Sequence, residues 1–398
     1  MRFLHTADWH IGQSFYEYDR RNEHIQFFDW LKKQTQTLHI DALLIAGDIF
    51  DSPNPSAESQ KLFYTFLKEI TTENPELLVI IIAGNHDSAA RLEAPNPLLE
   101  GMNIIIRGTI KKTPEGEIDV DQLIIPYIKE GETKAYFLAV PYLRQGDYPK
   151  SDNYAEGVKA MYEAVYNKVR NTGKPIIAMG HLQATGSEIS ENDRSERTII
   201  GGLECISPEA FDQQIVYTAL GHLHRSQRVS KRENIRYSGA PLPMSFAEKN
   251  NKHGAVLVEI ENETTIKQIE FEVPVKLMSI PPTALPLSEV ISCIQDLPDG
   301  DICTDSPFLE IKVLITEPEP SLRHQIEEEI KNKSVRLARI EAVTLRNEAD
   351  PVTITFEELQ TINPEVMAER IFEQKYGGEE MPENMKQLLR QVIREVER

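Results

Sequence analysis

Over roughly its first 270 residues, the chain alternates short apolar runs with stretches of helical periodicity. The apolar runs predicted as strands are Phe3–Thr6, Ala42–Ala46, Val79–Ala83, Ile104–Ile106, Ile176–Met179, Val216–Leu220 and Ala255–Ile260. Between the first two runs, Ile25, Phe28 and Leu31 recur at the spacing of one helix face. This alternation predicts a layered α/β fold whose sheet is largely buried.

The pattern changes near Pro274, and a small α+β domain of about 70 residues is predicted to follow. Its first segment, Pro281–Pro286, is typical of a linker. The elements predicted beyond it are a helix over Leu287–Leu297, a strand over Leu309–Ile315, a helix over Leu322–Asn332 and a strand over Arg336–Val343. This part of the chain holds no cluster of chemically special residues.

The tail, Pro364–Arg398, is predicted to form two helices separated at Gly377–Gly378. The second helix carries one apolar stripe: Met385, Leu388, Leu389, Val392, Ile393 and Val396. The stripe either packs on the core of this chain or docks on a partner, and the pattern leaves both open. The expected domain limits are 1–273, 274–347 and 348–398, the last comprising a linker and the tail helices.

The amino-acid composition is consistent with a globular protein of this architecture. With 40% hydrophobic and 27% charged residues, the chain of 398 residues has ordinary globular usage. No apolar run reaches the ~18 residues of a membrane span, and the N-terminus lacks the features of a signal peptide, so we expect a cytoplasmic protein. The three cysteines form no CxxC pair, and free thiols are expected.

The net charge is −20, which counts against a protein whose whole surface grips nucleic acid. It does not exclude a nuclease, because bound divalent cations supply positive charge where a scissile phosphate lies. A local basic patch or a partner can supply the remaining contacts.

Five short motifs carry the candidate chemistry. In order, they are Asp8-Trp9-His10, Gly47-Asp48-Ile49-Phe50-Asp51, Gly84-Asn85-His86-Asp87, His181 and Gly221-His222-Leu223-His224. Each follows a predicted strand, and functional side chains of such sheets collect at the carboxyl ends of strands. Glycines in three of the motifs permit tight turns close to a bound ion. The five motifs are therefore expected to converge on one edge of the sheet.

These residue types suit hydrolysis of a phosphodiester, an anion that repels nucleophiles. Two divalent cations ~3.5–4 Å apart can clamp its oxygens and lower the pKa of a water between them. Carboxylate, amide and imidazole ligands without thiolates suit Mn²⁺ or Fe²⁺, with Zn²⁺ possible. One such motif alone would be weak evidence, but five in order predict a two-metal phosphoesterase.

The five motifs resemble those of the calcineurin-like metallophosphoesterase superfamily. By that resemblance, one metal would be held by Asp8, His10 and His224, the other by Asn85, His181 and His222, and Asp48 would bridge both. His86 would contact the scissile phosphate or the leaving oxygen as a proton donor, with Asp51 nearby to orient it.

Further stretches separate the branches of this superfamily. Protein phosphatases of this pattern carry GDxVDRG and GNHE, whereas here Ser52-Pro53 follows Asp51 and the third motif ends in Asp87. Four stretches resemble the SbcD subunits of bacterial SbcCD nucleases: MRFLHTADWHIGQ at the N-terminus, AGNHDSAARLE (Ala83–Glu93), GHLHRSQRV (Gly221–Val229) and YSGAPLPMSFAE (Tyr237–Glu248).

This second resemblance implies an ATP-dependent 3′–5′ exonuclease on double-stranded DNA that also opens hairpins as an endonuclease, in DNA recombination, replication and repair. The fold would be a layered metallophosphoesterase sandwich with an α+β capping domain that helps to hold DNA. The tail would be a helix–loop–helix that binds an SbcC-type partner, an SMC-like ABC ATPase with a long coiled coil. A homodimer within a heterotetramer is expected.

Basic residues near the motifs are candidates for contacts with the DNA backbone. Arg91 and Arg225 are the better ones, since each lies within a few residues of a predicted ligand. The weaker candidates are Arg20, Arg21, Arg194, Arg197 and Arg228. Trp9 is expected to pack against the metal loop rather than to stack on a base.

Two other functions remain open from the sequence. The same site could serve a phosphodiesterase for cyclic nucleotides or other small phosphoesters, although such an enzyme needs neither a capping domain nor an apolar tail. Alternatively, the chain could act mainly as a scaffold that tethers two ATPase subunits, although the intact set of ligands argues that tethering is not the whole function.

Overall fold

A computed structural model of the chain describes residues 1–187, 205–315, 319–344, 372 and 381–396. It divides into two compact units, Met1–Val343 and Thr344–Arg398. The strands are β1 Arg2–Thr6, β2 Ser14–Phe15, β3 Tyr18–Asp19, β4 Ala42–Ala46, β5 Leu78–Ile82, β6 Ile104–Arg107, β7 Ile124–Lys129, β8 Glu132–Ala139, β9 Ile176–His181, β10 Tyr217–Gly221, β11 Gln227–Val229, β12 Arg232–Tyr237, β13 Gly254–Ile260, β14 Thr264–Glu270, β15 Leu277–Leu285, β16 Phe308–Ile315 and β17 Arg336–Thr344. The α-helices are α1 Arg21–Thr37, α2 Ala57–Glu73, α3 Ala89–Glu93, α4 Asn96–Leu99, α5 Tyr154–Val169, α6 Leu287–Gln295, α7 Leu322–Ile330 and α8 Glu383–Val396.

Two six-stranded sheets form the body of the first unit. Their strand orders are β14-β13-β1-β4-β5-β6 and β11-β12-β10-β9-β8-β7. In the first sheet β1, β4, β5 and β6 run parallel, and in the second β8, β9, β10 and β12 do. One apolar layer joins the two sheets, and two others pack α1 and α2 on one sheet and α5 on the other. The predicted layered α/β fold is confirmed.

The alternation of side chains along β4 shows why the central strands were predictable. Leu43 and Ile45 point into the core shared with α1 and α2, whereas Leu44 points into the layer between the sheets. A strand buried on both faces must be apolar at every position, so it appears in the sequence as an unbroken run.

The sequence pattern did not predict β7, β8, β11, β12, β14 and α5. The edge strand β7 is apolar in sequence, but Pro126 interrupts it, and a proline within such a run counts against a strand. The helix α5 had a usable signal, because the Asn153 side chain accepts a hydrogen bond from the Glu156 N–H at its first turn. Its core-facing residues recur at helical spacing: Val158, Met161, Tyr162, Val165 and Val169.

The small domain contains the sheet β15-β16-β17 and the helices α6 and α7. Its predicted helices and strands are confirmed to within a few residues, but the linker predicted over Pro281–Pro286 is wrong, because β15 extends to Leu285. Leu277–Ile280 and Leu285 pair with β16, and the register shifts between them. Pro281 and Pro282 lack an N–H and lie within this shift, where the ladder is interrupted.

An aromatic cluster joins the small domain to the hairpin β2–β3, which follows the first motif. Phe15 and Phe246 pack with Phe308 of the small domain. The Arg336 guanidinium lies 3.9 Å from the centre of the Phe308 ring, and the Tyr18 hydroxyl donates to the Leu337 carbonyl at 3.1 Å. The small domain is thus held beside the loops that follow β1.

In the second unit, the second predicted tail helix is present as α8. Two residues of its apolar stripe, Met385 and Leu388, are exposed. The first predicted tail helix lies outside the described residues except for Phe372, which is helical. Within the described ranges, no helix has the length and apolar character needed to cross a membrane.

Candidate metal centre

The five motifs meet at one edge shared by the two sheets. Asp8 and His10 follow β1, Asp48 follows β4, and Asn85 and His86 follow β5. From the second sheet, β9 ends at His181, and His222 and His224 follow β10. The His181 Nδ1 lies 2.9 Å from the Ala46 carbonyl oxygen, so the edges of the two sheets touch at the site. The expected convergence is therefore present in the structure.

Left-handed backbone turns bring these side chains inward. Four candidate ligands have positive φ angles, namely Asp8 at 56°, His10 at 47°, Asp48 at 50° and His222 at 104°. Such a conformation costs a non-glycine residue roughly 1–3 kcal/mol and is concentrated at functional sites. Backbone hydrogen bonds hold the first two loops together, because the N–H groups of Asp8 and His10 donate to the carbonyls of Gly47 and Asp48 at 3.0 Å.

Close packing also explains two of the glycines in the motifs. A Cβ atom at Gly84 would collide with the Asp48 carboxylate, and one at Gly47 would collide with the His181 ring. Gly47 also has a φ of 91°, which side chains rarely adopt. Both positions therefore need glycine to admit the candidate ligands.

Carboxylates and imidazoles gather in three overlapping groups whose potential ligand atoms lie within 4.8 Å of one another. The groups are Asp8 with His10 and His224, His10 with Asp48 and His86, and Asp8 with Asp48 and His181. Asp8, His10 and Asp48 each belong to two groups. The pair His222-x-His224 divides between two sides of the site, because His224 joins the first group and His222 lies near Asn85.

Asn85 and His222 complete the set at the third group. The Asn85 Oδ1 lies 2.9 Å from the His181 Nε2 and 3.0 Å from the His222 Nδ1. The backbone N–H of His222 donates to the Asp8 Oδ1 at 2.9 Å. The structure thus brings all seven predicted ligands together.

The buried oxygen and nitrogen atoms of the site are also suited to bind metal ions. Asp8 Oδ2 and His10 Nε2 are buried, yet neither has a hydrogen-bond partner among the described residues. A buried polar atom without a partner is costly, and a coordinated cation would satisfy it. No sulfur atom belongs to the three groups, so the donors are oxygen and nitrogen only.

Opposite charges dominate the electrostatics of the site. Burial alone would lower the pKa of His181, but the Asp48 and Asp8 carboxylates outweigh it and raise this pKa to about 9. Burial would raise the pKa of Asp48, but the nearby imidazoles, that of His181 above all, hold this pKa well below the usual range. Burial lowers the pKa of His222 to about 3. Such concentrated perturbation is typical of functional sites.

His86 is held from two sides. Its backbone N–H donates to the Asp48 Oδ1 at 2.9 Å, and its Nδ1 lies 2.9 Å from the Asp51 carbonyl oxygen. The Asp51 carboxylate instead lies 3.3 Å from the His10 Nδ1. Asp51 therefore contacts His86 through its backbone rather than through its side chain. A carbonyl only accepts, so the His86 Nδ1 carries a proton in this contact.

Asp87, which had no predicted role, connects two motifs. Its buried carboxylate accepts the backbone N–H groups of Ile49 at 3.2 Å, Phe50 at 3.0 Å and Gly84 at 2.9 Å. Burial and the charge of Asp48 raise the pKa of Asp87 to about 6. The fourth position of the third motif was the available signal, but its partners could not be read from the sequence.

Residues outside the set of candidate ligands contact the ligands or the loops that carry them. The buried Glu248 carboxylate lies 3.5 Å from the His224 Nδ1, and it belongs to the fourth stretch that resembles SbcD. The His24 Nε2 lies 2.8 Å from the Trp9 carbonyl oxygen. Trp9 itself is fully buried against phenylalanines of α1 and α2, so the packing interpretation is confirmed.

The arginines predicted to contact DNA differ in their exposure and in their partners. Arg91 and Arg225 are exposed, and Arg91 donates to the Asn54 side chain. Arg20 is fully buried and forms two hydrogen bonds with Glu23, at 2.9 and 2.8 Å, so its suggested contact with DNA is wrong. Arg228 pairs with an exposed glutamate. Arg194 and Arg197 lie outside the described residues.

The chain is similar to known proteins over most of its length. Residues 1–226 match the family model of the calcineurin-like phosphoesterases, and residues 273–376 match that of the type 5 capsule protein repressor C-terminal domain. The SbcD subunit of the SbcCD nuclease from Rhodobacter capsulatus is 32% identical over 382 residues, which cover 92% of this chain and 93% of that protein. The SbcD subunit of Escherichia coli K12 is 29% identical over 405 residues, covering 99% and 97%.

Among solved structures, a dimetal phosphatase from Danio rerio matches 68% of this chain and 97% of that chain. Its sequence identity is 12% and the TM-score is 0.39, a likeness too distant to inform the site.

Proposed function

The chain belongs to the SbcD subunits of the calcineurin-like phosphoesterase family, and we propose that it hydrolyses phosphodiester bonds of DNA with two divalent metal ions. The activity would combine 3′–5′ exonuclease action on double-stranded DNA with endonucleolytic opening of hairpins, in the cytoplasm. ATP dependence would come from an SbcC-type ATPase partner.

The observation that carries this proposal is the convergence of seven oxygen and nitrogen ligands from five strand ends. Three of them, Asp8, His10 and Asp48, each belong to two of the overlapping groups, so the groups lie close enough for a pair of adjacent ions. The small domain and the apolar tail favour a large substrate and a partner over a small phosphoester.

We assign one ion to Asp8, His10 and His224, the other to Asn85, His181 and His222, and both to Asp48. Mn²⁺ is the proposed ion, because carboxylate, amide and imidazole donors without thiolates suit it. When bound, two such ions supply Lewis acidity and stabilise the charge that develops on the phosphodiester.

His86 is the proposed proton donor. With its Nδ1 proton directed at the Asp51 carbonyl, protonation at Nε2 would let the imidazolium deliver a proton to the leaving oxygen. The Asp48 carboxylate, which accepts the His86 backbone N–H, fixes the start of this side chain. Asp51 would position His86 through its carbonyl and His10 through its carboxylate.

The tail and the small domain fit the assembly proposed for the chain. The exposed Met385 and Leu388 of α8 would lie on the surface that binds the SbcC-type ATPase. The small domain, proposed to span 274–347, would help to hold DNA beside the metal loops. A homodimer within a heterotetramer would complete the complex, and Arg91 and Arg225 would contact the DNA backbone near the ions.

The test is cleavage of an end-labelled hairpin duplex in the presence of Mn²⁺, with and without the SbcC-type ATPase and ATP. We expect His222→Ala to lose cleavage at least a hundredfold, because it removes a ligand, while the exposed His324→Ala control retains it. Partner and ATP should stimulate the wild-type chain. Equal cleavage by both variants would refute the site, and hydrolysis of small diesters without any cleavage of DNA would favour a small-substrate phosphodiesterase.

A further inference from the structure

A cation that the function above does not use lies beside the metal centre. Arg144 follows the carboxyl end of β8, the strand next to β9, which carries His181. Its guanidinium carbon lies 5.4 Å from the centre of the Tyr142 ring, and that ring lies 6.3 Å from the His181 ring in an edge-to-face arrangement. One tyrosine ring therefore separates the guanidinium from a candidate metal ligand.

Backbone contacts fix this segment against the third motif. The Tyr142 N–H donates to the Ala83 carbonyl at 2.9 Å, and the Arg144 Nη2 lies 3.5 Å from the Asp87 carbonyl oxygen. The Arg144 N–H donates to the Asp147 Oδ2 at 2.9 Å, which closes a turn behind the arginine. The base of the side chain is thus held in place, while the side chain itself is exposed.

The charge of Arg144 is not neutralised within the part of the chain that the structure describes. No carboxylate there forms an ion pair with its guanidinium, whereas Arg20 pairs with Glu23 and Arg228 with Glu233. Its guanidinium hydrogen bond to the Asp87 carbonyl is at the limit of length and leaves most of the donors available. In a chain of net charge −20, an arginine without an ion pair beside an acidic site leaves a positive charge available for an anionic ligand.

We propose that Arg144, supported on Tyr142, binds the phosphate of a nucleotide next to the scissile phosphodiester. A guanidinium presents parallel donors that match two phosphate oxygens, and stacking on an aromatic ring restricts its orientation. The inference rests on the proposed DNA nuclease function. It adds a phosphate subsite that distinguishes a nucleic-acid strand from a single small diester.

The physical basis for that distinction is the number of phosphates. A small chromogenic diester has one phosphate, which the metal centre would hold. A DNA strand presents its next phosphate about 3.4 Å further along the helix axis, and it can reach a cation at the rim of the site. Loss of Arg144 should therefore harm DNA more than the small diester.

The experiment compares the full chain with Arg144→Ala, Arg144→Lys and Arg170→Ala, each loaded with Mn²⁺. Arg170 is an exposed arginine at the end of α5, which leads into the amino end of β9, away from the metal-bearing edge, so it serves as the matched control. Cleavage of a hairpin duplex and of bis(p-nitrophenyl) phosphate is measured, together with binding of the duplex by fluorescence anisotropy at several salt concentrations.

For Arg144→Ala, we expect the ratio of kcat/KM for DNA to that for the small diester to fall about tenfold. The slope of log affinity against log salt should decrease by about one, and Arg144→Lys should restore part of both losses. Equal losses on both substrates would mean that Arg144 only supports the motif loop, and an unchanged ratio and slope would also overturn the subsite.

The same measurements separate this inference from the nuclease proposal. If wild-type chain binds the duplex but never cleaves it, and Arg144→Ala weakens binding with the smaller salt slope, the subsite stands while the nuclease function fails. If wild-type chain cleaves DNA and Arg144→Ala behaves as Arg170→Ala does, the nuclease function stands while the subsite fails. A chain that neither binds nor cleaves DNA refutes both.

Discussion

Replacing Asp87 by alanine should both destabilise the fold and loosen the metal centre. The carboxylate accepts three backbone N–H groups at 2.9–3.2 Å from two different motif loops, and only 2% of the residue is exposed. Each buried donor left without a partner costs about 1–3 kcal/mol. Because alanine leaves a small space that water can partly fill, we expect a net loss of about 3–5 kcal/mol in the free energy of unfolding.

Urea denaturation of the metal-free chain measures that loss, and calorimetric titration with Mn²⁺ measures the effect on the site. The Ile49, Phe50 and Gly84 N–H groups border Asp48, so we expect metal affinity to fall about 10–100-fold. Asp87→Asn keeps one acceptor oxygen and should lose roughly half of the stability that alanine loses. The control is Asp119→Ala, which removes a carboxylate with a single exposed hydrogen bond to a backbone N–H and should cost under about 1 kcal/mol.

A loss below about 1 kcal/mol for Asp87→Ala, or wild-type metal affinity in a folded variant, would refute this reasoning. In that case the two motif loops would be held by their own turns and by the sheet edges, and the three hydrogen bonds would be incidental.

Three other predictions concern residues outside the metal centre. Arg20→Met leaves the Glu23 carboxylate buried without its partner. Thermal denaturation should therefore show a loss of about 3–5 kcal/mol in the free energy of unfolding, and a loss under about 1 kcal/mol would contradict this prediction. Burial would raise the pKa of Asp41, but hydrogen bonds from Lys129, the Arg2 backbone N–H and the Tyr127 hydroxyl outweigh burial and hold that pKa below its ordinary value of 3.8. Asp41→Asn should therefore cost about 1 kcal/mol at pH 7 and progressively less as the pH falls below 3.8, so a cost independent of pH would be evidence against it. Leu388→Asp should reduce capture of the SbcC-type ATPase at least tenfold relative to Gln387→Asp, and equal capture would place the partner elsewhere.

Much of the fold was predictable because its central strands are buried on both faces. Strand β4, predicted and observed as Ala42–Ala46, is apolar throughout because each of its faces meets a different core. The motifs that follow such strands must then lie at the same edge, since parallel strands end together. The order of motifs therefore predicted which residues would converge, without any knowledge of distances.

The tertiary structure decided what depends on contacts between distant segments. Nothing in the sequence around Asp87 indicates that its carboxylate binds the backbone of the second motif, and nothing around Arg20 indicates burial against Glu23 rather than exposure to DNA. The contact between Asp51 and His86 was expected, but the atom that makes it was not. Residue types and their order define which chemistry is possible, whereas the packing of segments far apart in the chain determines which atoms face each other.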